Sequence, residues 1–246
     1  RPSGKKINMA NPYFQFKQFT VYHDLCAMKV GIDGVLLGAW ASVDSSVNRI
    51  LDVGTGSGLI ALMLAQRSNA TIDAIDLDEG AVRQAEINVS ASDWNNRIRV
   101  HHQSLQRFAE TQTKLYDLIV SNPPFFISSL KAPDEARAIA RHADTLTHEE
   151  LLKYASGLLK TTGRMCVILP VTEGLRCVES TRKFGLYCYQ CVYVYPKPKS
   201  EPKRVLLEFG FTARETQLSS IEIETAERHQ YSAAFTALAK DFYLKL

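Results

Sequence analysis

"RILDVGTGSGLIALMLAQRS" (49–68) decides the fold. Its opening, "RILDVG" (49–54), reads as a buried strand, and from Ser57 the apolar positions recur with helical spacing. Between the two stand Gly54, Gly56 and Gly58, which permit a tight turn and let a ligand lie against bare backbone. The alternation continues outward. "TIDAID" (71–76) is a strand, "EGAVRQAEINVSAS" (79–92) a helix, and "RIRVHHQS" (97–104) and "YDLIVSN" (116–122) are further strands. "THEELLKYASGLL" (147–159) opens with a Thr147–Glu150 capping box, in which hydroxyl and carboxylate satisfy each other's free N–H groups. "RMCVILP" (164–170) is the fifth strand. Such alternation builds a parallel sheet covered on both faces. The end differs: "YCYQCVYVY" (187–195) and "RVLLEFGF" (204–211) have no helix between them and predict an antiparallel pair at one edge. The final "SAAFTALAKDFYLKL" has helical spacing and is expected to pack back on the domain. The expected class is α/β, Rossmann-like, with a central mostly parallel seven-stranded sheet, an antiparallel edge strand and helices on both faces.

The 246 residues, 46% hydrophobic and 22% charged, suit one large domain or a domain with a small extension. A basic tail over 1–15 and a single domain over 16–246 are expected, with 16–48 leading into the first strand. No apolar run approaches the roughly 20 residues that span a bilayer, and no signal-peptide pattern is present, which points to the cytoplasm. Five cysteines cannot all pair, and buried free thiols are the simplest account. Cys188 and Cys191 form a CxxC inside a strand with no second pair, so no metal site is expected. The net charge of +3 is far from the excess that announces nucleic-acid binding on its own. Its distribution is more informative. Arg1, Lys5, Lys6 and Lys17 stand among aromatics without an acid, and Lys197, Lys199, Lys203 and Arg204 face one acid in a proline-rich loop. Each stretch suits tracking of phosphates, and each also suits a solvated tail or loop.

The spacing of the glycines is GxGxG, not the GxGxxG that offers a helix N-terminus to a pyrophosphate. Asp52 precedes them, where it would repel a diphosphate but suits an ammonium group. Asp76 ends the second strand, placed to accept from ribose hydroxyls; Leu77 beside it is counted with the cofactor-binding residues. Together these features describe S-adenosylmethionine, with NAD as the other candidate.

"LIVSNPPFF" (118–126) then acquires a chemical meaning. Two prolines stop the strand, because proline has no N–H for the sheet ladder. An adenine amino group or an amide is a poor nucleophile, since its lone pair is delocalised. The side-chain oxygen of Asn122 and the backbone carbonyl of Pro123 can each accept one of its N–H groups and favour tetrahedral geometry at nitrogen. Pro123 and Pro124 stiffen the turn, and Phe125 can stack on a planar target, worth about 1–3 kcal/mol per base. "NPYF" (11–14) lacks the second proline and a preceding strand, and reads as tail.

"NPPF" behind "DVGTGSG" and "AIDLD" resembles the [DNS]-PP-[YFW] signature of amino-methylating, S-adenosylmethionine-dependent transferases. More specifically, "FKQFTVYHDLCAMKVGIDGVLLGAW" (16–40), "RILDVGTGSGLIALMLAQR", "DLIVSNPPFF", "ARHADTL", "RVLLEF" and "YSAAFTALAKDFYL" are similar to the bacterial tRNA1(Val) (adenine-37-N6)-methyltransferases. The resemblance implies a class I methyltransferase fold, S-adenosylmethionine as cofactor, and N6 of the adenosine 3′ to a valine tRNA anticodon as target. By position it assigns Asp52, Gly54, Gly56 and Gly58 to the methionine moiety and Asp76 to the ribose. Asn122, Pro123 and Phe125 would hold the base, and Lys29 and Asp33 in "KVGIDG" would close over the cofactor. Lys29 and Asp33 also suit an ordinary helix-start contact. Two departures stand out: Ser104 replaces the usual acid that reads the cofactor's adenine, and Phe125 stands where tyrosine is more frequent. Arg141 matches a basic position of the family and suits either RNA phosphate or a plain surface; His142 and His148 receive no role.

The alternative is a protein-glutamine methyltransferase of the release-factor type, which shares the tip but carries a separate helical N-terminal domain; the 48 residues before Arg49 do not read as a helical bundle. A DNA adenine methyltransferase would need a recognition domain. A non-catalytic RNA-binding protein would not need the intact tip.

Overall fold

Central strands apolar on both sides require a cover on each face, and the chain supplies two. The computed structural model describes residues 11–26, 29–123, 146–227 and 230–246. The main sheet contains β3 (Arg49–Val53), β4 (Thr71–Asp76), β5 (Ile98–His102), β6 (Tyr116–Ser121), β7 (Leu159–Pro170), β8 (Tyr187–Tyr195), β9 (Arg204–Gly210) and β10 (Gln217–Glu222). Their order is β10-β8-β9-β7-β6-β3-β4-β5. Strands β1 (Tyr13–Gln15) and β2 (Thr20–Tyr22) form a separate antiparallel hairpin, so part of the stretch read as tail is paired chain.

The class is the expected one, but the sheet has eight strands instead of seven. The antiparallel β8–β9 pair is present, yet it does not form the edge: β10 lies outside it, parallel to β8. Only β9 runs against its neighbours.

Side chains alternate across each strand. Ile50, Ile72, Leu118 and Ile168 face one core, shared with Leu36 of α1 (Ile32–Trp40), Leu62 of α2 (Leu59–Arg67), Val89 of α3 (Glu79–Ser90) and Phe235 of α7 (Ala233–Ala239). Leu51, Ile75, Ile119 and Val167 face the other core. There they meet Phe108 of α4 (Leu105–Thr111), Leu152 of α5 (His148–Leu158) and Cys177 of α6 (Val171–Ser180). The Thr147–Glu150 capping box is formed: Thr147 Oγ1 accepts the Glu150 N–H at 3.2 Å, and Glu150 Oε2 accepts the Thr147 N–H at 2.9 Å.

The C-terminal segment returns as expected. Phe16 forms a bridge with Tyr243, and Lys17 Nζ donates to the Lys240 carbonyl at 2.7 Å. All five cysteines are free, four of them buried. Burial pushes the Cys177 and Cys188 thiols up to about 12, which makes them poor nucleophiles and poor metal ligands. Among the described residues no helix is long and apolar enough to cross a membrane.

The parallel strands finish at one pole of the molecule, at Val53, Asp76, Ser121, Pro170 and Tyr195. Because β9 is reversed it begins there, at Arg204, opposite Pro170 and Val194. The basic connection 196–203 therefore lies at this pole.

Candidate active site

The chain lays down β3, β4 and β5 in one direction, then returns to place β6 on the far side of β3. Such a reversal opens a crevice at the carboxyl ends of the two strands, the usual ligand position in open α/β sheets. The glycine turn leaves β3 into this crevice. Gly54, Gly56 and Gly58 have φ of +72°, +56° and +81°, a left-handed conformation that other residues adopt only with strain. A Cβ at Gly54 or Gly56 would meet nothing within 4 Å, so these two expose bare backbone to open space. At Gly58 a Cβ would come 3.4 Å from Ala85, which makes that glycine a packing position between turn and α3.

Asp76 fixes the turn. Its Oδ2 accepts the Gly56 N–H at 2.8 Å and its Oδ1 accepts the Asp78 N–H at 3.0 Å. Each oxygen keeps a lone pair for a hydroxyl. The Gly54 and Thr55 N–H groups both donate to the Ile75 carbonyl. Leu77, next along, is 48% exposed and offers an apolar surface beside the carboxylate.

Asp52 lies under the turn, fully buried. Its Oδ2 accepts from Thr55 Oγ1 at 2.7 Å, but its Oδ1 is buried with no hydrogen-bond partner. Burial pushes its carboxyl up to about 7, against the lowering effect of the Thr55 bond, and the Asp76 charge adds to the rise. An orphaned buried carboxylate oxygen is costly unless a donor or cation reaches it. The ammonium of an amino-acid ligand fits that demand, and the open faces of Gly54 and Gly56 fit its nucleoside portion. These residues therefore suit S-adenosylmethionine.

The end of β6 forms the other wall. Ser121 is in register with Val53, and its hydroxyl donates to the Val53 carbonyl at 2.8 Å. Asn122, half-buried, and Pro123, buried, follow directly and stand alongside the start of the glycine turn.

The model of the methyltransferase small domain family matches residues 35–178, from α1 to α6. The chain is 52% identical over 238 residues to the tRNA1(Val) (adenine(37)-N6)-methyltransferase of Parabacteroides distasonis, covering 97% of this chain and 100% of that one. The enzyme of the same name from Phocaeicola vulgatus is 51% identical over the same shares. The chain belongs to the tRNA1(Val) (adenine(37)-N6)-methyltransferase family. Among solved structures, an Agrobacterium tumefaciens protein described as a predicted O-methyltransferase superposes with a TM-score of 0.67 at 16% identity, over 85% of this chain and 96% of that one. That likeness concerns the class I methyltransferase fold alone.

In this member of the family Asp52 and the glycine turn, Asp76 with Leu77, and Asn122 with Pro123 stand at the adjacent carboxyl ends of β3, β4 and β6. Lys29 is exposed on the segment that leads into α1. Asp33, in the first turn of α1, is held by Arg204, whose Nε donates to its Oδ2 at 2.7 Å. The contacts of Asp33 thus tie it to the root of the basic loop and not to the glycine turn. Ser104 is the N-cap of α4, its Oγ accepting the Arg107 N–H at 3.3 Å. Pro124, Phe125, Arg141 and His142 lie outside the described residues.

Gln84 and Asn88 escaped the sequence reading. Both are almost fully buried on α3, and both bond to the backbone of the segment around Tyr22–Leu25. Their signal was present, because they fall four residues apart among Ala81, Val82, Ala85 and Val89, on the face where only apolar residues belong.

Proposed function

We propose that this chain transfers a methyl group from S-adenosylmethionine to N6 of adenine 37 in the anticodon loop of tRNA1(Val). The observation that carries the proposal is the placement of Asn122 and Pro123 at the end of β6, one strand away from the glycine turn. Asp52 would hold the ammonium group, Gly54 and Gly56 would line the ligand, and Asp76 would accept from the ribose hydroxyls. Lys29, Ser104 and Leu77 would complete that binding surface. Bound there, S-adenosylmethionine supplies an electrophilic methyl group.

The protein's own contribution is positioning. Asn122 Oδ1 and the Pro123 carbonyl each accept one N–H of the target amino group, which turns the nitrogen lone pair out of conjugation with the ring. These bonds strengthen as positive charge develops on nitrogen, so they favour the transition state over the planar ground state. No general base is needed, since the proton leaves after transfer. Adenine 37 is stacked within the anticodon loop and has to be turned out to reach this depth, where Phe125 would stack on it. The basic loop 196–203 lies at the same pole and would meet the RNA phosphates, as would the basic residues before Asn11.

The test is methyl transfer from labelled S-adenosylmethionine into total tRNA from cells lacking the protein, followed by nucleoside analysis. Label in N6-methyladenosine confined to a valine tRNA is the expected result. Label in a glutamine-containing protein fraction, with none in tRNA, would overturn it.

A further inference from the structure

Buried amide side chains are costly unless their hydrogen-bonding groups are satisfied, so a fully used one marks a junction the fold depends on. Asn88 is 1% exposed and makes three bonds. Its Oδ1 accepts the Tyr22 N–H at 3.0 Å, while its Nδ2 donates to the Tyr22 carbonyl and to the Ser57 carbonyl, both at 2.8 Å. The side chain therefore acts towards Tyr22 as a neighbouring strand would, and its remaining proton reaches the glycine turn. One helical turn earlier, Gln84 Oε1 accepts the Leu25 N–H at 3.0 Å.

The course of the chain beyond Tyr22 gives this junction a functional sense. The Leu25 carbonyl passes so close to Gly80 that a Cβ there would approach it to 2.7 Å, so the segment lies against the first turn of α3. Cys26 comes next, near enough to the negative charges of Asp76 and Asp78 for them to reinforce the burial that raises its thiol to about 11. The chain thus reaches the cofactor crevice immediately after leaving Asn88.

We propose that Asn88 is a positioning residue for the cofactor: it locks the segment from Tyr22 to Cys26 and the glycine turn into one rigid wall, without itself touching the ligand. This rests on the reading of the crevice as an S-adenosylmethionine site. Asparagine is required because the position needs one acceptor and two donors together. Aspartate accepts from Tyr22 but donates to neither carbonyl when ionised and to one at most when protonated, and alanine does neither.

The experiment uses the 246-residue chain and two variants, Asn88→Asp and Asn88→Ala. Calorimetric titration with S-adenosylhomocysteine is expected to show affinity weakened about tenfold or more, the scale of one buried polar group left unpaired. With saturating cofactor, kcat and the KM for tRNA stay near wild type. Hydrogen exchange of the unliganded variants is expected to accelerate together in peptides covering 20–26 and 54–60, while β6 keeps its protection. A merely structural role would lower the melting temperature and leave the affinity of the folded protein unchanged, which would overturn the proposal. If Asn88→Ala fails to fold, Asn88→Asp carries the test, since it leaves at least one of the two carbonyls without its donor. If the wild-type chain does not bind S-adenosylhomocysteine, the reading of the crevice falls, and this inference with it. If the wild type binds and both variants bind equally well, only the inference falls.

Discussion

Mild acid should strip this crevice of its cofactor while the sheet stays intact. Asp52 is fully buried with its carboxyl raised to about 7, so near neutrality the unliganded protein divides between acid and carboxylate. Only the carboxylate attracts an ammonium group, and free α-amino groups lose their proton at about pH 8. Affinity for S-adenosylhomocysteine, which keeps the ammonium and lacks the reactive methyl, is expected to peak at about pH 7.5. At about pH 6 only one protein molecule in roughly eleven carries the carboxylate, so binding is weaker than at the peak by about sixfold. Folding responds in the opposite sense. Asp52 titrates at 3.8 ordinarily and at about 7 in the fold, so the folded chain holds the extra proton between those values. Stability of the unliganded protein then declines as pH rises from about 4 to about 7, by as much as ~4 kcal/mol, and levels off above. Asp52→Asn removes both slopes: binding becomes weak and flat across this range, and the decline in stability disappears. Calorimetric titrations at about pH 6 and pH 7.5, with urea unfolding over the same range, measure both effects. Level wild-type affinity between those values, or tight binding by Asp52→Asn, would refute the assignment of Asp52 to the ammonium group.

Gly56→Ala should strain a left-handed turn residue by about 1 kcal/mol, lowering the melting temperature by about 2–4 °C, yet abolish cofactor binding because its methyl enters the ligand's space. Normal S-adenosylhomocysteine affinity in that variant would contradict the cradle. Asn122→Ala should lower kcat by about a hundredfold or more while cofactor affinity stays close to wild type; retention of most turnover would remove Asn122 from the mechanism. Replacing Lys197, Lys199 and Lys203 together by glutamate should raise the KM for tRNA and flatten its dependence on salt, leaving the KM for S-adenosylmethionine unchanged. Equal effects on both constants would show that the loop acts through the fold and not on RNA.

The alternation of strands with amphipathic helices was legible because β3, β6 and the second half of β7 are apolar runs, while β4 and β5 set apolar against polar positions, each flanked by turn or cap residues. The sole failure in the sheet was β10. Five of its six residues are exposed, so it shows no alternation between core and solvent, and it is held through its ladder with β8. Backbone bonds leave no trace in side-chain pattern. Helix α4, seven residues long, is too short for a periodic signal, so Ser104 drew attention as a ligand contact and its capping role went unseen. Asp33 and Arg204 are separated by 171 positions, and nothing local to either names the other. The glycine turn, Asp52, Asp76 and Asn122 were legible for the opposite reason. Each occupies a strand end, where the topology of a parallel sheet makes sequence position and spatial position nearly the same thing. Asn88 belongs to neither group: its burial follows from helix geometry, but its partners are Tyr22, 66 residues away, and Ser57, 31 residues away.

The reversal of β9 has a consequence for how such an enzyme changes. Both ends of the connection 196–203 are anchored at the same pole by the ladder of β8 with β9. A loop held in this way can lengthen, shorten or change its charges with no strand shifting register, and each doubling of its length costs only about 0.6 kcal/mol of closure entropy. The glycine turn allows no such latitude, since its three left-handed residues and the Asp76 bonds fix its length. Were the loop to meet RNA as proposed, substrate preference could drift in descendants while the methyl-donor chemistry stood still, and exchange of this one hairpin between relatives would be the place to look for inherited choice of RNA.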